Sequence, residues 1–315
     1  MAINKFMKLA LKALSYPDID IRKTYQLQRS LQSLRAAPLD AQRWQDYDVC
    51  SGGLTVPVRI YRPAGEEKPG TLLFFHGGGW VTESVDTYNK VCAALTDATG
   101  RRVISVDYRL APESPFPQGL DDCYAAAGTL FNAPAHFDFD PGEITLVGDS
   151  AGGNLAAAVS LRARDTGDFH VRRQILIYPA TYSDHGPDSP FPSVAENGSD
   201  YLLTARRICE YIDLYKRDDS DLRNPYFAPL LARDFTNQPD TLLITAEFDP
   251  LRDEGEAYAE KLREAGNRVV LYRMRDALHG FMSLGPRYVH VRRAHELINS
   301  FLDGSERDGQ VESLA

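Results

Sequence analysis

A chain of 315 residues is long enough to bury one large core or two modest ones. With 43% hydrophobic and 25% charged residues it belongs among folded globular chains rather than disordered ones. Its net charge of −9, without any basic stripe carrying interleaved aromatics, argues against nucleic acid as a partner, and its apolar runs fall far short of a bilayer span.

The N-terminal stretch "MAINKFMKLALKALSYP" places Ile3, Phe6, Met7, Ala10, Leu11 and Leu14 at helical spacing, with Lys5, Lys8 and Lys12 off that face. The lysines interrupt the apolar run and no small-residue cleavage site follows. We therefore read an amphipathic helix that packs as part of a cap formed by residues 1–45, in preference to a signal peptide or membrane anchor. From about residue 46 the pattern changes. "YDVCSGGLTVPVRIYRP" predicts a hairpin around a Ser-Gly-Gly turn. Six further strands follow, "TLLFF", "RVISVD", "ITLVG", "QILIYP", "TLLITA" and "RVVLYR", separated by helical stretches near 86–98, 118–132, 152–164, 205–216 and 254–266, with a last helix near 290–302.

This alternation predicts an α/β architecture: an eight-stranded, mostly parallel sheet flanked by helices, in a domain spanning 46–302. Residues 181–235, rich in Pro, Asp and Tyr, break the alternation and are expected to contribute to the cap; residues 303–315 read as a frayed polar tail. Cys50, Cys92, Cys123 and Cys209 are scattered with no C-x-x-C pair, which predicts buried free thiols in a cytoplasmic protein and no metal site.

In open α/β sheets the chemistry sits beyond the carboxyl ends of the strands. There, directly after "ITLVG", stands Gly148-Asp149-Ser150-Ala151-Gly152, followed by a good helix former. G-x-S-x-G between a strand and a helix describes a nucleophile elbow, in which a serine occupies a sharp turn. A serine needs a base to take its proton. Of seven histidines, His279 in "ALHGF" follows the last strand on the side where Ser150 should emerge. His290 and His295 are read as solvated on the final helix, and His136, His170 and His185 as loop residues. The base in turn needs an acid to fix its tautomer. "TLLITAEFDPLRDEG" offers Asp249, held by Pro250, with Glu247 in reserve; Asp253 and Glu254 read as the start of a helix. The order Ser150, Asp249, His279 suits this topology.

The run Gly77-Gly78-Gly79 in "FFHGGGWV" gives up backbone order without adding packing. With a nucleophilic serine nearby, the N–H groups of Gly78, Gly79 and Ala151 are candidates for an oxyanion hole, and side chains at 78 and 79 would obstruct the substrate carbonyl.

The motifs "HGGGW", "DYRLAPE" followed by "FP", "GDSAGGNLA", "YP", "DPLRDEG" and "HGF", in this order over about residues 45–302, resemble the bacterial hormone-sensitive-lipase-like family of α/β-hydrolases. The resemblance implies hydrolysis of small-molecule carboxylic esters through an acyl-enzyme, without cofactor or metal. It assigns the triad to Ser150, Asp249 and His279 and the oxyanion hole to Gly78, Gly79 and Ala151. His76 and Asp107 would brace the glycine loop. It also implies short- to medium-chain substrates and a candidate homodimer edge at the last strand. Trp80, Phe6, Leu9, Tyr201 and Leu202 are candidate pocket residues, with ordinary packing the competing explanation for each. One departure stands out: Thr82-Glu83-Ser84 follow "GWV" where the family often carries another glycine. An amide-cleaving, arylformamidase-like hydrolase and a non-catalytic small-molecule-binding protein on the same fold are the rival functions. The intact "HGF" speaks against the second.

Overall fold

The computed structural model describes residues 19–35, 43–132 and 140–305. Its strands are β1 (Trp44–Ser51), β2 (Leu54–Tyr61), β3 (Thr71–Phe75), β4 (Arg102–Val106), β5 (Ile144–Asp149), β6 (Arg173–Ile177), β7 (Asp240–Phe248) and β8 (Val269–Leu278). They form one sheet in the order β1-β2-β4-β3-β5-β6-β7-β8. β1, β2 and β4 pair antiparallel and all other neighbours pair parallel, so the sheet is mixed at one side as expected. The hairpin turns on Gly52 and Gly53, whose φ values of 56° and 86° are both positive. Such a pair suits the turn that matches strand twist, and only glycine takes it without strain.

Four helices cover the sheet's two faces: α2 (Asn89–Thr99), α3 (Gln118–Asn132), α4 (Ala151–Thr166) and, near the C-terminus, α8 (Val289–Leu302); α7 (Arg252–Glu264) packs beside α4's face. The central strands are apolar on both sides, as a sheet covered twice requires. Leu73 and Phe75 of β3 point into one layer with Leu155 and Val159 of α4 and Leu130 of α3. Leu72 and Phe74, one residue out of phase, point into the other with Leu95 of α2 and Ile298 of α8. Residues 181–235 supply α5 (Pro192–Asn197) and α6 (Ala205–Tyr215), followed by short 3-10 turns at Asp221–Arg223 and Pro229–Leu231. The first described helix, α1 (Ile21–Arg35), docks on α6: the Ile21 N–H donates to Glu210 Oε2 at 2.9 Å and Arg22 pairs with Asp213 at 2.9 Å.

Several expectations need correction. The helix expected from residue 86 starts at Asn89, because Ser84 and Thr87 instead exchange hydrogen bonds in a tight turn. β8 continues to Leu278, across a bulge at which Asp276 takes φ 54°. His295 is buried on the inner face of α8, and that burial pulls its pKa down to about 4. Cys92 and Cys123 are buried free thiols, whereas Cys50 is exposed on the outer face of β1 and Cys209 half-buried. The helix expected over residues 1–17, His136 and the tail beyond residue 305 lie outside the described residues.

The first turn of α4 approaches the end of β3 so closely that a Cβ at Gly152 would lie 1.9 Å from the Phe75 carbonyl oxygen. Gly152→Ala should therefore cost roughly 3 kcal/mol or more in urea unfolding. Gly128→Ala in α3, where the new methyl would meet only the Phe169 ring at 3.6 Å, should be neutral or stabilising by up to about 1 kcal/mol.

Candidate active site

Ser150 stands between the end of β5 and the first residue of α4 with φ 56°, a left-handed conformation that costs a non-glycine residue about 1–3 kcal/mol. The surroundings impose it. The Ser150 N–H donates to the Ile177 carbonyl at 2.9 Å, and the Ser150 carbonyl accepts from Asn154 at 3.0 Å. A Cβ at Gly148 would strike the Gly152 carbonyl at 2.1 Å, so only glycines let the chain reverse here.

The three residues picked from strand ends meet at this turn. His279 Nε2 lies 2.9 Å from Ser150 Oγ, and His279 Nδ1 lies 2.7 Å from Asp249 Oδ2. Asp249 is fully buried, and its other oxygen accepts the Leu251 N–H at 2.9 Å. Asn197 of α5 donates to the Asp249 carbonyl at 3.2 Å and so ties the acid loop to residues 181–235. With Nδ1–H donating to Asp249, Nε2 is left to accept the serine hydroxyl proton. The reserve acid Glu247 is engaged elsewhere, accepting the Asp276 N–H at 2.7 Å across the β7–β8 bulge.

Gly78 and Gly79, with φ of 106° and 61°, turn the loop after β3 over this serine. The N–H groups of Val81 and Thr82 donate back to the Gly78 carbonyl. Among the described residues the N–H groups of Gly78 and Gly79 make no hydrogen bond, and that of Ala151 belongs to a first helical turn with no intrahelical partner. All three residues line one cavity with Ser150 and His279. The structure adds a reason for glycine beyond the expected one. A Cβ at Gly78 would fall 2.3 Å from the Thr82 carbonyl and one at Gly79 2.5 Å from the Tyr211 ring. Protein atoms by themselves already exclude side chains there.

Sequence reading missed the residue that joins the two loops. Asp149 Oδ1 accepts the Gly77 N–H at 3.0 Å, while Oδ2 accepts the hydroxyls of Tyr88 at 2.9 Å and Tyr178 at 3.2 Å. Burial outweighs these donors and pushes the carboxyl up to about 6. Its only sequence signal was its place beside Ser150. His76 braces the glycine loop as expected, its buried ring stacked on Tyr108 and its Nδ1 2.8 Å from the Gly77 carbonyl. Burial holds the His76 pKa down to about 4, so it is neutral at pH 7. Asp107 reaches the Val85 backbone beyond the glycine loop. His185, expected as a plain loop residue, is buried with Nε2 2.5 Å from Glu254, which also accepts the Thr181 and Tyr182 N–H groups and pins residues 181–182 to α7.

The cavity of about 200 Å³ is bounded by Trp80, Leu203, Ile208, Tyr211 and Leu251, and by Gln28 of α1. Trp80 is thus a lining residue, but Tyr201 stacks on Phe248 and Leu202 is exposed, so Leu203 and Ile208 take the positions expected of them. Phe6 and Leu9 lie outside the described residues. Arg29 of α1 secures the roof: Nε donates to the Val81 carbonyl and Nη2 to the Ala111 carbonyl, both at 2.7 Å, and the guanidinium pairs with Glu113 at 3.0 Å. Among the described residues no group of three His, Cys, Asp or Glu side chains is placed to hold a metal ion, and no helix is long and apolar enough to cross a membrane.

A serine on a strained strand-to-helix turn, a histidine after the last strand and a glycine loop from β3, all on this sheet order, define the class of α/β-hydrolases. The chain belongs to the alpha/beta hydrolase fold family, whose pattern matches residues 72–283, in its hormone-sensitive-lipase-like branch. It is similar to an arylesterase of Saccharolobus solfataricus, with 36% identity over 271 residues, 84% of this chain and 87% of that protein. It is also similar to carboxylesterase NlhH of Mycobacterium tuberculosis, with 36% identity over 261 residues and 80% of each chain covered. Among solved structures, a hyperthermophilic esterase from the archaeon Pyrobaculum calidifontis superposes with a TM-score of 0.85 at 35% identity, covering 96% of this chain and 99% of that one.

Two consequences can be measured. Because the Asp149 carboxyl is raised from its ordinary value near 3.8 to about 6, the folded state holds that proton more tightly than the unfolded chain does. Its contribution to stability is largest below that window and is lost as pH rises through it. Relative to Asp149→Asn, wild type should lose up to about 1.4 kcal/mol of unfolding free energy per pH unit between pH 4 and 6; equal slopes in the two proteins would refute this account. Arg29→Ala should speed amide hydrogen exchange in residues 21–35 and 80–83 while leaving the sheet strands unchanged.

Proposed function

We propose that this protein is a serine carboxylesterase that hydrolyses short- to medium-chain carboxylic esters. The observation that carries the reading is the continuous chain from Ser150 Oγ through His279 to buried Asp249, at 2.9 and 2.7 Å, beside unclaimed glycine N–H groups. The esterase names of its relatives support it.

In this reading Ser150 attacks the ester carbonyl carbon as its proton passes to His279 Nε2. The carbonyl oxygen becomes an oxyanion facing the N–H groups of Gly78, Gly79 and Ala151, each such donor being worth roughly 2.7–4 kcal/mol in the transition state. Asp249 steadies the imidazolium. As the intermediate collapses, the bond to the alkoxide breaks and His279 returns the proton to the leaving alcohol. Water then gives a proton to His279 and attacks the acyl-enzyme, releasing the carboxylic acid and restoring Ser150. Residues 181–235 and α1 act as the cap, closing the cavity through Ile208, Tyr211 and Gln28. The cavity of about 200 Å³ is smaller than the roughly 300–1,000 Å³ that receive drug-sized ligands, which favours small esters over triglycerides. Free thiols fit a cytoplasmic setting. A second copy would pair along the open edge of β8.

The test is hydrolysis of p-nitrophenyl esters from acetyl to palmitoyl by wild type and Ser150→Ala. Wild type should peak at short chains, and the variant, still folded by circular dichroism, should lose at least about 10³-fold in kcat. No turnover by wild type at any length, or more than a tenth of its activity in the variant, would sink the reading.

A further inference from the structure

Glu83 lines the cavity but has no part in the reaction described above. Its backbone holds φ 67°, a left-handed conformation that a long side chain rarely adopts. Strain of this kind persists where the surroundings over-determine it, and it gathers at ligand sites. The side chain stays inside. It lies along Gly78, where a hypothetical Cβ would come within 2.8 Å of Glu83 Cγ. Its Oε1 accepts from Gln32 Nε2 of α1, its carboxyl bonds to Thr87, and its N–H donates to Gln32 Oε1 at 3.4 Å. Burial raises its pKa, and among the described residues no cation pairs with it.

The cavity is lined by polar as well as apolar side chains. Thr82 and Gln28 line the cavity with Glu83 as polar side chains, both bonded by Tyr211 of α6, while Trp80, Leu203, Ile208 and Leu251 are apolar lining residues. An apolar substrate arm pressed against the first group would strip water from a carboxyl and return nothing for it. A hydroxyl on the same arm would donate to a free lone pair of that carboxyl.

We propose that Glu83 is a specificity-determining residue that selects esters bearing a hydroxyl on the arm beside the glycine loop over esters of the same shape with a methyl there. The proposal rests on the esterase reading above. A site built to hydrogen-bond a substrate hydroxyl discriminates strongly against the analogue lacking it; in a half-open cavity we expect about tenfold.

The experiment compares kcat/KM within two matched pairs, one for each side of the ester. These are ethyl 3-hydroxybutanoate against ethyl 3-methylbutanoate, and 2-hydroxyethyl butanoate against propyl butanoate. Wild type should favour the hydroxylated member of at least one pair by about tenfold. Glu83→Gln, whose amide oxygen still accepts, should keep most of that preference. Glu83→Gly, which suits the backbone conformation, should bring the ratio to within about twofold of unity. A wild-type ratio near unity in both pairs, or an undiminished ratio in Glu83→Gly, overturns the role of Glu83 while leaving the esterase reading intact. Failure of wild type to hydrolyse any of the four esters and p-nitrophenyl butanoate overturns both.

Discussion

The site depends on one steric fact: the first turn of α4 and the end of β3 touch backbone to backbone. Gly152 lies against the carbonyls of Phe75 and His76, closer than any Cβ would allow. β3 and β5 are neighbours in the sheet, so their carboxyl ends deliver the glycine loop and Ser150 to the same point. A bulkier crossing would separate the serine from the donors above it. The glycines flanking Ser150 are thus a condition on distance, and the strain at Ser150 itself follows from it.

A second layer holds that juxtaposition in place by electrostatics. Asp149 bonds the glycine loop from below and draws on two tyrosines, but burial leaves its charge poorly compensated. Asp249, equally buried, is matched by His279 and the Leu251 N–H. Two neighbouring carboxyls therefore hold different groups: one positions backbone, the other the His279 ring. Glu254 makes a third such anchor, tying residues 181–182 to α7.

Features set by local chain order were legible in the sequence. The eight strands, the hairpin glycines and the residues that meet at Ser150 all lie within short motifs at strand ends, where pattern and turn chemistry act over a few positions. What escaped was set by contacts between distant segments. Burial of His185 depends on Glu254 and burial of His295 on the packed face of α8, and neither has a local signature. The exclusion of a side chain at Gly79 comes from Tyr211, far along the chain on another helix. In the irregular segment before α6, a shift of one position put Leu203 rather than Leu202 against the cavity, because no periodic pattern fixes phase there.

The grip of Arg29 on the Val81 and Ala111 carbonyls has an evolutionary corollary. It addresses main-chain atoms, which every substitution at positions 81 and 111 leaves in place. This part of the attachment of α1 thus tolerates change in its partners, unlike the pairs Arg29–Glu113 and Gln32–Glu83, which need particular side chains on both sides. Sequence change is therefore freer at positions 81 and 111, where only the main chain is gripped, than at 83 and 113, where the side chain itself is the partner.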